Sequence, residues 1–102
     1  MNQSINEADY PASYLTIDAE TKQSGFTMAS DVLTCSLLRT LAAAKPSGDF
    51  LELGTGTGLS TAWILDGIDA ASQLTSVDNA ADFLSIAQNH LGNDPRLRLV
   101  EA

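Results

Sequence analysis

Apolar positions recur along this chain in alternating helical and strand rhythms. Val32, Cys35, Leu38 and Ala42, flanked by Leu33, Leu37 and Leu41, make a broad stripe at helical spacing that reaches about Ala44. Ser30 is placed as the N-cap of that helix, with Asp31 in its first turn. After the turn Pro46-Ser47-Gly48-Asp49, Phe50 to Leu53 is an apolar run of strand length with one acid in it. A helical run resumes from about Leu59 to Leu65 and is closed by Asp66-Gly67, and Asp69 to Gln73 reads as loop. Leu74-Thr75-Ser76-Val77-Asp78 is a second strand. Ala80 to Leu91 is a helix with Phe83, Leu84, Ala87 and Leu91 on or near one face and Gly92 as its C′ stop. The turn Gly92-Asn93-Asp94-Pro95 leads to a third strand, Leu97-Arg98-Leu99-Val100.

Ahead of these elements, residues 1–12 read as polar and loose, Pro11 marks a helix start, and Tyr14 to Lys22 predicts a short helix. The order α-β-α-β-α-β is that of an α/β fold: a Rossmann-like, parallel, doubly wound sheet of about three strands with right-handed crossovers and flanking helices. The chain divides into an N-terminal segment, 1–28, and a cofactor-binding portion, 29–102.

The first strand feeds the following helix through glycines at alternate positions, Gly54, Gly56 and Gly58. Glycine there permits positive φ and lets the backbone approach a ligand closely. The helix opening at about Leu59 points its unpaired N–H groups and positive dipole end at the turn, where a phosphate or carboxylate is the natural occupant. The turn is thus the mark of a nucleotide-type cofactor binder. A dinucleotide fingerprint needs glycine at its first, third and sixth positions, but the sixth position is Leu59 counted from Gly54 and Thr61 counted from Gly56. No Lys follows the loop, which excludes a P-loop. Asp78 ends the second strand 20 residues after Gly58, where a carboxylate can accept both hydroxyls of a ribose. It can instead cap the next helix, a task Asn79 can share. Any adenosine cofactor carries that ribose, so Asp78 alone leaves methyl-transfer and nicotinamide cofactors both open.

The run Glu52-Leu53-Gly54-Thr55-Gly56-Thr57-Gly58, an acid two residues before G-x-G-x-G, resembles motif I of the class I S-adenosylmethionine-dependent methyltransferases. Its continuation through Ser60-Thr61 is similar to their small-molecule O-methyltransferase branch. The resemblance implies S-adenosyl-L-methionine as cofactor, held by Glu52, Gly54, Thr55, Gly56, Thr57, Gly58, Ser60, Asp78 and Asn79. It places Glu52 beside the methionyl end, where its charge favours the ammonium, and Ser60 against the cofactor carboxylate. It further implies attack by a nucleophile, an oxygen of a small-molecule acceptor, on the cofactor methyl carbon, with the enzyme supplying proximity and alignment. No residue of this chain is nominated as catalytic base or metal ligand. The resemblance covers the first half of the family domain, so the chain is expected to be a truncated piece without activity by itself. In the family a fourth strand pairs with the first. Without it, strand one is expected to lie as an edge with no Lys or Pro to protect it, and to join a second copy as a homodimer. The competing functions are an NAD-dependent oxidoreductase and a non-catalytic Rossmann-like interaction module.

Composition narrows these readings. With 102 residues, 44% apolar and 18% charged, the chain is one small globular domain. It has no 18-residue apolar run to cross a membrane, and the first 21 residues carry no Lys or Arg, so no signal or transit peptide is expected. The single cysteine, Cys35, excludes an internal disulfide and suits the reducing cytoplasm; it is expected in the core. A net charge of −8 argues against nucleic acid as methyl acceptor. Trp63 is expected in the core, and His90 at a surface or helix end without a partner cluster.

Overall fold

A computed structural model describes residues 6–25 and 31–102. After a single 3-10 turn at Glu7–Asp9 come α1 (Tyr14–Ser24), α2 (Val32–Ala43), β1 (Asp49–Leu53), α3 (Leu59–Gly67), β2 (Gln73–Asp78), α4 (Ala81–Leu91) and β3 (Leu97–Glu101). The strands form one sheet in the order β1-β2-β3. Both pairings are parallel, with Asp49 opposite Gln73 and Leu53 opposite Val77 in one, and Leu74 opposite Leu97 in the other. Parallel neighbours need a crossover, and α3 and α4 supply them.

Most of the predicted elements form, with shifted ends. Gln73, read as loop, starts β2 because its N–H donates to Gly48 O at 2.9 Å. β3 runs one residue further, pairing Glu101 with Asp78. α1 extends to Ser24 and stops at Gly25, which has a φ of 81°. Asp31 is the N-cap of α2 rather than a first-turn residue, accepting a 2.7 Å hydrogen bond from Thr34 N; Ser30 lies outside the described residues. Gly92 does not end α4 by adopting a left-handed conformation. Its φ is −64°, and a Cβ there would run into Gln88, so space and not backbone freedom calls for glycine.

The core gathers Tyr14 and Ile17 of α1, Cys35 and Ala42 of α2, Leu59, Ala62, Trp63 and Leu65 of α3, Leu74 of β2 and Leu91 of α4. The residues before 25 therefore share one core with those that follow. Trp63 is fully buried at its centre, as expected. The Tyr10 and Tyr14 rings lie 5.4 and 6.0 Å from its ring, and the Arg39 guanidinium stands 4.4 Å above its face. Such aromatic pairs contribute about 0.5–1.5 kcal/mol each beyond area burial. Cys35 is buried as expected, and desolvation pushes its thiol up to about 11.

The apolar stripe of α2 is only partly buried. Leu33, Leu37 and Leu41 do not join the core. α2 buries only Cys35 and Ala42 fully, and these leucines lie 49–60% exposed. His90 lies in the last turn of α4, a helix end as expected, and its Nε2 is 2.7 Å from Glu20 Oε1, tying α4 to α1 across 70 residues of sequence.

Candidate cofactor site

The turn between β1 and α3 is held from below by β2. Gly54 N and Thr55 N both donate to Val77 O, at 2.7 and 3.2 Å, so the loop begins as a continuation of the ladder. Gly54, Gly56 and Gly58 then take φ values of 91°, 55° and 99°. A side chain in that region costs about 1–2 kcal/mol. The two outer glycines serve for different reasons. At Gly54 a Cβ would meet nothing within 4 Å, so the backbone conformation alone demands glycine and open space lies over it. At Gly58 a Cβ would also stand 3.0 Å from Ala87 Cβ, so this glycine lets α3 and α4 approach.

Gly58 is the N-cap of α3, with no side-chain cap and no acid in the helix's first turn. The first N–H groups of a helix have no intrahelical acceptor, and they carry its positive end. Here they follow directly on the glycine loop.

Asp78, at the end of β2, reaches across to this loop. Its Oδ2 accepts Gly56 N at 2.7 Å and its Oδ1 accepts Ala80 N at 3.0 Å. The Gly56 N–H, foremost, holds its carboxyl below the usual carboxylate range. Each oxygen takes one donor and keeps acceptor capacity for another. The N-cap of α4 is Ala80, without a side-chain cap, so Asp78 braces the glycine loop rather than capping that helix. Asn79 lies exposed beside it.

Glu52 is enclosed by hydroxyls. Its Oε1 accepts Thr61 Oγ1 at 2.5 Å and Ser76 Oγ at 2.6 Å, and its Oε2 accepts Ser60 Oγ at 2.5 Å. Thr55 and Thr57 turn their side chains inward. Thr55 Oγ1 is 2.6 Å from Ser76 Oγ, and Thr57 Oγ1 is 2.7 Å from Thr21 Oγ1 of α1. Both threonines are buried.

The structure thus gathers Glu52, the glycine loop, Ser60 and Asp78 around one turn, and leaves the Thr55 and Thr57 side chains behind it. Sequence reading missed Ser76, Thr61 and Thr21. A signal existed for Ser76: it follows Leu74 at strand spacing, so it points to the same face as a core residue, and a hydroxyl there requires a partner. Among the described residues no group of three His, Cys, Asp or Glu could hold a metal ion, and no helix is long and apolar enough to cross a membrane.

No family model matches the chain, and comparison with curated proteins gives no match. Solved structures do match. The O-methyltransferase TomG from Streptomyces achromogenes, involved in tomaymycin synthesis and solved with S-adenosylmethionine, superposes with a TM-score of 0.79 at 18% identity, over 96% of this chain and 44% of its own. An O-methyltransferase from Bacillus cereus in complex with S-adenosylhomocysteine gives 0.77 at 15% identity, over 89% and 44%. A methyltransferase from Geobacter sulfurreducens gives 0.76 at 22% identity, over 96% and 50%. The chain spans about half the length of these solved proteins, and over that span it has the Rossmann-like fold of these methyltransferases.

Proposed function

We propose that this chain is the cofactor-binding portion of an S-adenosylmethionine-dependent methyltransferase acting on an oxygen of a small molecule. The observation that carries the reading is the pairing of Asp78 with Gly56 N beside the uncapped start of α3. It puts an acceptor for ribose hydroxyls and a set of free N–H donors on either side of a turn open at Gly54. An adenosine with a charged amino-acid tail fits those features. The solved neighbours from Streptomyces achromogenes and Bacillus cereus, which hold S-adenosylmethionine and S-adenosylhomocysteine, support the same assignment.

In this reading Asp78 takes the ribose hydroxyls, with Asn79 at the rim. Gly54, Thr55, Gly56, Thr57 and Gly58 present backbone, and Glu52 faces the ammonium. Ser60 changes its part from the one expected. Its hydroxyl proton is committed to Glu52, so a cofactor carboxylate is offered the backbone N–H of the first turn instead. The chemistry supplied at the site is a methyl group on a sulfonium, open to in-line attack by the acceptor oxygen. The residues of this chain hold and orient. Residues 1–28 contribute α1, packed on α3 and α4, and residues 29–102 carry the site.

The chain spans about half the length of the solved neighbours, and in this reading the 102-residue species alone is assigned no methyl-transfer activity. A net charge of −8 speaks against a nucleic-acid acceptor, and the lone cysteine suits the cytoplasm. β1 is an edge of the described sheet with Leu51 67% and Leu53 77% exposed, and that edge is assigned to pairing with a second copy. Calorimetric titration with S-adenosylhomocysteine and with NAD tests the function. Heat with the first alone supports it, and binding of NAD alone overturns it.

A further inference from the structure

Two of the three hydroxyls that hold the Glu52 carboxylate belong to fully buried residues. Thr61 and Ser76 are both 0% exposed and both donate to Oε1, whereas the half-buried Ser60 is the donor to Oε2. A carboxylate oxygen accepts and a hydroxyl has one proton to give. Ser76 spends its proton on Glu52, so in the 2.6 Å contact between Thr55 and Ser76 the donor is Thr55. The result is a chain of hydrogen bonds with one direction: Thr55 hydroxyl to Ser76 hydroxyl to Glu52 Oε1, with Thr61 closing on the same oxygen from α3.

Two fully buried donors occupy Oε1. Oε2 has one donor, the half-buried Ser60, and retains a place for another. Register supports the same arrangement, since Glu52 and Ser76 are directly opposed partners of β1 and β2. An acid on a strand facing a helix is otherwise costly to bury, and it keeps its rotamer only if its acceptors are satisfied.

We infer that Ser76 and Thr61 are positioning residues for ligand recognition: they lock Glu52 so that Oε2 accepts the cationic, N–H-bearing end of the cofactor. The inference rests on the cofactor reading above. It assigns to the buried hydroxyls a selectivity for the amino-acid end of the ligand and no part in binding its adenosine.

The test compares two probes that share the adenosine: S-adenosylhomocysteine, which has the amino-acid end, and 5′-methylthioadenosine, which lacks it. Titrations use the wild type, Ser76→Ala, Ser76→Thr and the near-isosteric Thr61→Val. Ser76→Ala and Thr61→Val are expected to weaken S-adenosylhomocysteine by about tenfold, the scale of one charge-assisted hydrogen bond. They should leave 5′-methylthioadenosine within about twofold, and Ser76→Thr should restore the loss. Equal losses for both probes would mean that the hydroxyls merely stiffen the loop, and that overturns the inference while the cofactor reading stands. Unchanged affinity for both overturns it as well. If the wild type binds neither probe, the cofactor reading itself falls and takes this inference with it. Should Ser76→Ala fail to fold, Thr61→Val carries the same comparison from the other donor.

Discussion

Ser76 and Glu52 stand opposite one another in the β1–β2 register, and the Ser76 hydroxyl donates to Glu52 Oε1 at 2.6 Å. Opposed residues of neighbouring strands project to the same face. In a parallel sheet under helices that face ordinarily carries Val, Ile or Leu. Here a polar pair takes the place and is completed by Thr61 of α3. The first strand is thereby joined to the first turn of the helix it feeds, immediately behind the glycine loop.

Asp78→Ala removes the acceptor for Gly56 N and, in the proposed complex, both ribose contacts. Charge-assisted hydrogen bonds are worth about 1.5–3 kcal/mol each, so affinity for S-adenosylhomocysteine should fall at least about tenfold. Calorimetry on a folded variant checks it. An unchanged dissociation constant removes Asp78 from the site.

Gly54→Ala and Gly58→Ala separate conformation from crowding. The first carries only the strain of a φ of 91° and should cost about 1–2 kcal/mol. The second adds a Cβ 3.0 Å from Ala87 and should cost about 2–4 kcal/mol. Urea unfolding measures both. Equal losses would show that α4 yields at Ala87 without penalty.

Acid should unfold the protein through identifiable carboxyls. Asp78 is held below its usual range first by the Gly56 N–H, and Asp94 first by the side chain of Arg96, whose Nη2 lies 2.7 Å away. A depressed folded-state value means the carboxylate form favours folding. That contribution is therefore complete above the unfolded value of about 3.9 and is lost as pH falls through the folded values. Stability should drop steeply below about pH 4, and Asp94→Asn should flatten the drop. Urea midpoints across the acid range decide it. A wild-type profile no steeper than that of Asp94→Asn counts against the pair.

Association through β1 is open to direct test. Leu51→Lys places a charge on the exposed edge, a device that blocks strand pairing. The wild type should scatter light as a dimer or larger assembly, and the variant as a 10.7 kDa monomer. A wild-type monomer at high concentration ends the edge-pairing proposal.

The strands, the two crossover helices and the glycine turn were legible in the sequence because each rests on a local period or local backbone geometry. Phe50 to Leu53, Leu74 to Asp78 and the Leu59 helix announce themselves within a few residues, and Gly54, Gly56 and Gly58 state the need for positive φ directly. What the local pattern could not carry is partnership. The Thr21–Thr57 contact spans 36 residues, Ser76–Glu52 spans 24 and His90–Glu20 spans 70. The leucine stripe of α2 shows the same divide. Periodicity marks Leu33, Leu37 and Leu41 as apolar and on neighbouring turns, yet they lie on the surface while Cys35 is buried in the core. Spacing along a chain decides which side chains share a face. Which face is buried, and which hydroxyl finds which carboxylate, depends on what the fold brings opposite it, because burial and hydrogen bonding act between neighbours in space.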